Sequence, residues 1–317
     1  MCGRLVGVLL AIALLMGFCA AAETVRGDLE ARFANEPRLE VDGIEYRMRN
    51  RLTSFLLIGV DRETSEMTMG SVYDGGQADF LALLVIDDDR DVIASILLNR
   101  DTMAEITTLT PLGEEAGTRT AQICLAHAYG DGQAQSCALT VRAVRKLLRD
   151  VPVDHYIALN MNAIATLNDA IGGVEVTLEE DFSAYDPEMV QGATLKLRGM
   201  QAEYFVRSRY GVGDQTNLSC MKRQRVYMDS MKETVMRRIQ ESPNFIGTIF
   251  DAVEELLVTD VRCGYLINLA NKARMYEVLP VIGIKGESIM GDSGYMEFYP
   301  EDASIVDALL ESYFEPA

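Results

Sequence analysis

Residues 55–61 (FLLIGVD), 79–87 (DFLALLVID) and 92–98 (VIASILL) are three nearly unbroken apolar runs, the last two separated by an acidic break that ends in Asp91. A strand with one wet face alternates apolar and polar side chains, so runs as continuous as these mark strands covered on both faces. The acidic break predicts a hairpin between the second and third runs. Helices must then supply the cover, which gives an α/β layer architecture. Residues 141–148 and 162–171 carry helical periodicity, the second ending at Gly172 and Gly173, and residues 174–178 (VEVTL) read as a further strand. Residues 222–241, 245–257 and 265–275 read as helices, and 290–300 as an edge segment. No internal repeat or low-complexity linker interrupts the chain, so 51–317 is expected to be one domain, with 24–50 as a juxtamembrane linker.

The amino terminus bears on compartment. After Arg4, residues 5–22 (LVGVLLAIALLMGFCAAA) carry no charge, which is long enough to span a bilayer at the short end of the range. Residues 1–23 are therefore expected to be a membrane anchor, with Arg4 kept inside. The alternative is a cleavable signal peptide, since Ala20 and Ala22 satisfy the small-residue rule ahead of Glu23. A lipoprotein signal fits worse because bulky Phe18 precedes Cys19. Either surviving reading exports the rest of the chain, as a single-pass protein with an extracytoplasmic domain or as a secreted one. Export gives Cys124, Cys137, Cys220 and Cys263 an oxidising context. Cys124 and Cys137 flank a turn between two helix-like runs and are the best candidate pair; two independent buried thiols are the alternative.

A net charge of -19 excludes a broad nucleic-acid footprint and unaided adsorption to acidic lipids. Against that background, residues 204–224 gather Arg207, Arg209, Lys222 and Arg223, a concentration that points to a small multivalent anion. Read as a strand, 204–209 would send Arg207 and Arg209 out on one face, two forks suited to phosphate; the plainer reading is a solvated edge strand. Only two histidines are present, His127 and His155, so a histidine-rich metal centre or a Ser-His-Asp triad is poorly supported, and both are expected to be structural.

The remaining chemistry lies at strand ends. Asp61 closes the first apolar run, Asp79 opens the second, and Arg100 with Asp101 follows the third. Antiparallel pairing of the second and third strands would collect these charges at one sheet end. Two carboxylates there suffice for a hard divalent cation, and magnesium commonly keeps phosphate oxygens in its remaining positions. With Arg100, Arg207, Arg209 and Arg223 added, the set can neutralise a pyrophosphate.

The order of the blocks FLLIGVD, GGQADFLALLVID, LLNRDTM, TAQICLAHAYGDG, VDHYIALNMNAIATLNDAIGGVEVTL, LRGMQAEYFVRSRY and GDQTNLSCMKRQ, within residues 55–228, resembles the LytR-CpsA-Psr family of membrane-anchored bacterial envelope enzymes. The resemblance implies a central mixed β-sheet sandwiched between α-helices, with an apolar channel for a polyprenyl tail. It also implies transfer of a glycopolymer phosphate from an undecaprenyl-pyrophosphate carrier to a peptidoglycan hydroxyl, aided by Mg2+. By position, Asp61 and Asp79 match the metal-holding residues, while Arg100, Arg207 and Arg209 match the pyrophosphate-binding arginines. Arg223 and Gln224 match the pair that closes the site. Asp101 follows Arg100, although Asn99 replaces the family's proline.

This sequence departs from the family at two further positions. Gln77 stands where members often carry arginine, and Cys220 stands where another arginine is usual. Each missing charged hydrogen bond weakens anion binding by roughly 1.5–3 kcal/mol; Arg225, Lys222 or Arg119 are candidates to compensate. The implied chemistry is phosphoryl transfer by positioning and charge, with a metal on Asp61 and Asp79 and arginines on the developing polyprenyl phosphate. Asp101 is the leading candidate to take the proton of the attacking hydroxyl; an ion pair with Arg100 is its structural alternative. Phe245, Ile246, Ile249, Phe250, Val253, Leu256 and Leu257 form an apolar stripe that either lines the tail channel or packs as core. The alternative function is a polyprenyl-pyrophosphate or anionic-polymer binding protein with no transfer activity or only weak pyrophosphatase activity.

Overall fold

The computed structural model describes residues 37–61, 75–160, 163–208, 211–213, 245–273, 275–292 and 294–317, together with 223, 226, 227, 229–231, 233–235, 237, 238, 241 and 242. The N-terminal apolar run lies outside these residues; among the described residues no helix is long and apolar enough to cross a membrane. The chain gathers into two compact units, one within 160–257 and 263–274, the other within 19–159, 258–262 and 275–317.

The strands are β1 (Arg38–Val41), β2 (Ile44–Met48), β3 (Leu52–Asp61), β4 (Gln77–Asp87), β5 (Val92–Leu98), β6 (Met103–Leu109), β7 (Glu115–Gln122) and β8 (His155–Asn160). They continue with β9 (Val174–Thr177), β10 (Thr194–Leu197), β11 (Leu257–Thr259), β12 (Glu277–Val278), β13 (Ile282–Gly283), β14 (Gly286–Met290), β15 (Met296–Pro300) and β16 (Phe314–Pro316). Among the described residues the central sheet is seven-stranded, in the order β11-β8-β3-β4-β5-β12 with β13 also on β5. It is mixed: β3, β4 and β5 are antiparallel, whereas β12 and β13 run parallel to β5.

Leu81, Ala82, Leu83, Leu84 and Val85 are each at most 1% exposed, so both faces of β4 are dry, as the unbroken apolar run requires. Helices Ala134–Leu147 and Asp302–Ser312 contribute Leu139, Ala143, Val144, Ile305, Ala308 and Leu309 to the core that buries Leu56, Ile58, Leu81, Leu83 and Ile96. The hairpin turn is held by the buried Asp87 carboxylate, which accepts from the backbone N–H of Asp89 and Arg90 (both 3.0 Å) and from Arg90 Nε (2.6 Å).

Part of the stretch read as a linker is ordered. Residues 38–48 form the β1–β2 hairpin, which adds β16 as a third strand. Asp42 (φ 53°) and Gly43 (φ 76°) supply the paired left-handed conformations that such a tight turn demands. The edge segment at 290–300 is instead a hairpin, β14 with β15. The helix expected over 245–257 stops at Val253, passes through one 3-10 turn at Glu254–Leu256 and continues as β11. Of the two readings for Cys124 and Cys137, the buried free thiols hold: Cys124 turns toward Arg100 and Cys137 toward His127.

In the smaller unit, β9 and β10 pair antiparallel and the chain then enters helix Met200–Arg207. The strand expected over 204–209 is therefore corrected to a helix ending at Arg207. Met, Gln, Ala and Glu favour helix, and Ala202, Phe205 and Val206 fall at the i, i+3 and i+4 spacing that buries one helical face. Buried Asn168 fastens this corner: its amide donates to Leu197 O (2.8 Å), and its oxygen accepts from Val174 N–H and the Tyr227 hydroxyl (both 3.1 Å). Asp169 accepts from Gly199 N–H at 2.7 Å, fixing the turn into the helix.

Candidate active site

The open ends of β3, β4 and β5 assemble four of the expected side chains. Gly59 pairs with Phe80 and Val60 with Ala78, so Asp79 is left out of the β3–β4 ladder as a bulge; Asp61 then faces Gln77. A bulge re-aims a side chain where the regular pleat would not. From the end of β5, Arg100 donates through Nη1 to Asp79 Oδ1 and through Nη2 to Gln77 Oε1 at 2.5 Å. Gln77 and Asp79 thus meet one guanidinium, and Asp61 lies opposite Gln77 in the ladder.

Arg100 also lies 3.6 Å through Nε from Asp101 Oδ1, and its Nη2 lies 3.7 Å from Cys124 Sγ. Burial works against its charge, but Cys124, Asp79 and Asp101 together hold its pKa above the ordinary value. It is a permanent cation, one-third exposed. Asp101 takes part in that ion pair and accepts from Gln122 Nε2 at 3.1 Å. Asn99, in the family's proline position, accepts from Asp101 N–H at 3.0 Å and so holds the turn by a side-chain hydrogen bond.

These strand ends are fixed by backbone bonds from residues distant in sequence. Cys124 N–H donates to Arg100 O, and Cys124 O accepts from Ala78 N–H, both at 3.1 Å, so one residue ties the end of β5 to the start of β4. Gly75 N–H reaches Ala128 O (3.2 Å), and His127 Nδ1 meets Gly76 O (3.0 Å), which makes it the donor. Gly75 is required sterically, because a Cβ there would lie 2.2 Å from His127 O. His127 is buried and His155 packs on Phe55 with centroids 5.1 Å apart while meeting Asp260 Oδ2 at 3.3 Å, so both histidines take structural roles.

In the smaller unit, Arg207 ends its helix and pairs with Glu203 one turn earlier at 2.8 Å. Arg223 is 6% exposed and donates through Nε to Phe205 O at 3.0 Å, through Nη2 to Ser208 O and through Nη1 to Glu180 Oε2. It therefore satisfies carbonyls at the C-terminal end of the Arg207 helix, with its guanidinium 5.4 Å from the Phe182 ring centroid. Phe245, Ile249, Phe250 and Val253 of the apolar stripe are buried, and their helix packs against Ala163–Ala170. Arg209, Cys220, Lys222, Gln224 and Arg225 lie outside the described residues.

Among the described residues no group of three or more His, Cys, Asp or Glu side chains gathers as a metal cage. Asp61, opposite Gln77 at the end of β3, and the bulged Asp79 of β4 are hard oxygen donors. That donor chemistry fits a magnesium ion completing its shell with water and phosphate oxygens.

The profile of the LytR_cpsA_psr family matches residues 23–308. The polyisoprenyl-teichoic acid–peptidoglycan teichoic acid transferase TagU of Halalkalibacterium halodurans is 28% identical over 270 residues, covering 83% of this chain and 79% of that protein. Biofilm regulatory protein A of Streptococcus mutans is 26% identical over 251 residues, which span 76% of this chain and 58% of the relative. Among solved structures, TagT bound to LI-WTA superposes with a TM-score of 0.59 at 20% identity, covering 83% of this chain and 89% of the other, a likeness of fold.

Proposed function

The chain belongs to the LytR_cpsA_psr family, and from that membership we propose that it is a transferase moving a phosphate-linked glycopolymer from a polyprenyl-pyrophosphate carrier to a hydroxyl of peptidoglycan. The observation that carries this reading is the bulged strand end, where Asp79 and Arg100 pair beside Asp61 and Gln77. A fixed guanidinium suits a diphosphate, and the carboxylates beside it would suit one only by holding a divalent cation; such transfer depends on positioning and charge more than on covalent chemistry. Arg100 would bind a bridging or terminal phosphate oxygen of the donor and stabilise charge on the departing polyprenyl phosphate. Arg207 and Arg209, matched by the resemblance to pyrophosphate-binding arginines, are proposed as further phosphate-binding cations. Magnesium held by Asp61 and Asp79 would neutralise phosphate charge. Asp101, near Arg100 and Gln122, would accept the proton of the incoming hydroxyl. The uncharged run at 5–22 supports an exported, membrane-anchored setting.

A second reading rests on Gln77: with an amide in place of a guanidinium, the site would bind a polyprenyl pyrophosphate without turning it over. Incubating the full chain with a short prenyl-pyrophosphate-linked saccharide, a peptidoglycan acceptor and magnesium separates the two. Transfer product that disappears in Asp79→Ala identifies the transferase. Saturable binding without product identifies the carrier and overturns the proposal.

A further inference from the structure

We infer that a cleft of about 390 Å³ in the smaller unit, walled by Tyr185 and Tyr204, is a subsite for the pyranose rings of a glycan chain. Nothing in the phosphate chemistry uses it. The two tyrosine rings lie 5.2 Å apart between centroids and are tilted by 38°, making an angled aromatic wall. Tyr185 remains 37% exposed and neighbouring Met200 48%, so apolar surface faces the opening. Lys196 and Arg198 line the same cleft with Asp186 and Glu188, two cations against two carboxylates.

That balance selects the ligand. A polyphosphate entering here would meet carboxylates as well as cations. A sugar ring presents hydroxyls that donate to carboxylates and accept from Lys and Arg, while its C–H face lies on an aromatic ring. The rim is fixed before any ligand arrives. Gln201 donates to Asp186 Oδ2 at 2.9 Å and accepts from Arg198 N–H at 3.2 Å, and Asp186 Oδ1 accepts from Glu188 N–H at 2.9 Å. The backbone and Gln201 hydrogen bonds hold the Asp186 carboxyl below its usual range, so it stays an acceptor. Pre-set planar groups around an open aromatic wall lower the ordering cost of a polar ligand.

Both substrates of the proposed transfer can carry pyranose rings, so the shared chemistry is the ring, and the readout is direct binding with no turnover. Purified full-length protein is titrated with a hexamer of β-1,4-linked N-acetylglucosamine, which stands for a wall glycan backbone, and with poly(glycerol phosphate), which has the anionic backbone without rings. The hexamer should bind saturably, the ring-free polymer should not compete for the cleft, and Tyr185→Ala and Lys196→Ala should each weaken hexamer binding at least fivefold. Absence of hexamer binding, equal binding by folded Tyr185→Ala, or displacement of the hexamer by poly(glycerol phosphate) would overturn the inference. Loss of transfer activity elsewhere leaves this result intact, so the two proposals fail separately.

Discussion

Arg100 reaches back across the β4–β5 pair to Asp79, the one residue that the β3–β4 ladder skips. The bulge and the ion pair belong together. Without the extra residue, Asp79 would take its place in the regular alternation, and its orientation toward the end of β5 would be lost.

Removing the guanidinium should therefore cost more than charge. Arg100 makes charged hydrogen bonds to Asp79 and Gln77, and comparable bonds to a diphosphate are each worth about 1.5–3 kcal/mol. Arg100→Ala is expected to lower kcat/KM for transfer by about 100-fold or more. Arg100→Lys should recover only part, because an ammonium cannot fork between two acceptors. Steady-state kinetics with a prenyl-pyrophosphate donor check this; wild-type rates in Arg100→Ala would remove Arg100 from the chemistry.

Gln77→Arg should strengthen anion binding. The amide now accepts from Arg100, whereas an arginine would turn outward beside it and add roughly one charged hydrogen bond to a phosphate oxygen, about 1.5–3 kcal/mol. Calorimetric titration with inorganic pyrophosphate should then show about tenfold or greater tightening, reduced by added salt. Unchanged affinity would mean that position 77 does not face the anion.

Arg223 makes a different prediction, one of stability. Truncation to Ala leaves Glu180 and the carbonyls of Phe205 and Ser208 without this partner. Breaking so enclosed a pair should cost about 3 kcal/mol in chemical denaturation, and Arg223→Lys should not restore it. A loss below about 0.5 kcal/mol would place Arg223 among the weakly coupled surface cations.

How much of this was legible follows from the physics of each element. The apolar continuity of 55–61, 79–87 and 92–98 determines a doubly covered sheet, and antiparallel pairing of the last two brings Arg100 to Asp79, whereas the bulge that skips Asp79 in the β3–β4 ladder has no mark in the local sequence. The helix at Met200–Arg207 was misread because Tyr204, Phe205 and Val206 favour strands individually, while the deciding influences are the Asp169–Gly199 bond and the burial of Ala202, Phe205 and Val206 on one face. The β1–β2 hairpin had a signal in Asp42-Gly43 that the linker reading passed over. Cys124 was weighed only for its sulfur, whereas its backbone ties two strands, and local sequence carries no mark of such a long-range bond.

The Cys124 thiol gives the pH dependence. Burial pushes its pKa up to about 11 in the folded protein, above the ordinary thiol value. A raised folded pKa contributes stability that is present below the unfolded value and is lost as pH rises through the folded one. The stability advantage of wild type over Cys124→Ala should therefore hold at pH 8 and shrink between about pH 9 and 11. Denaturation curves across that window check it; a constant difference would contradict it.

The central claim, that acidic oxygens and arginine forks serve one diphosphate, is tested most directly by a crystal grown with magnesium and a polyprenyl-pyrophosphate analogue. The account predicts the metal on Asp61 and Asp79, and the diphosphate on Arg100. A diphosphate bound away from Arg100, or a metal held by neither aspartate, would contradict it.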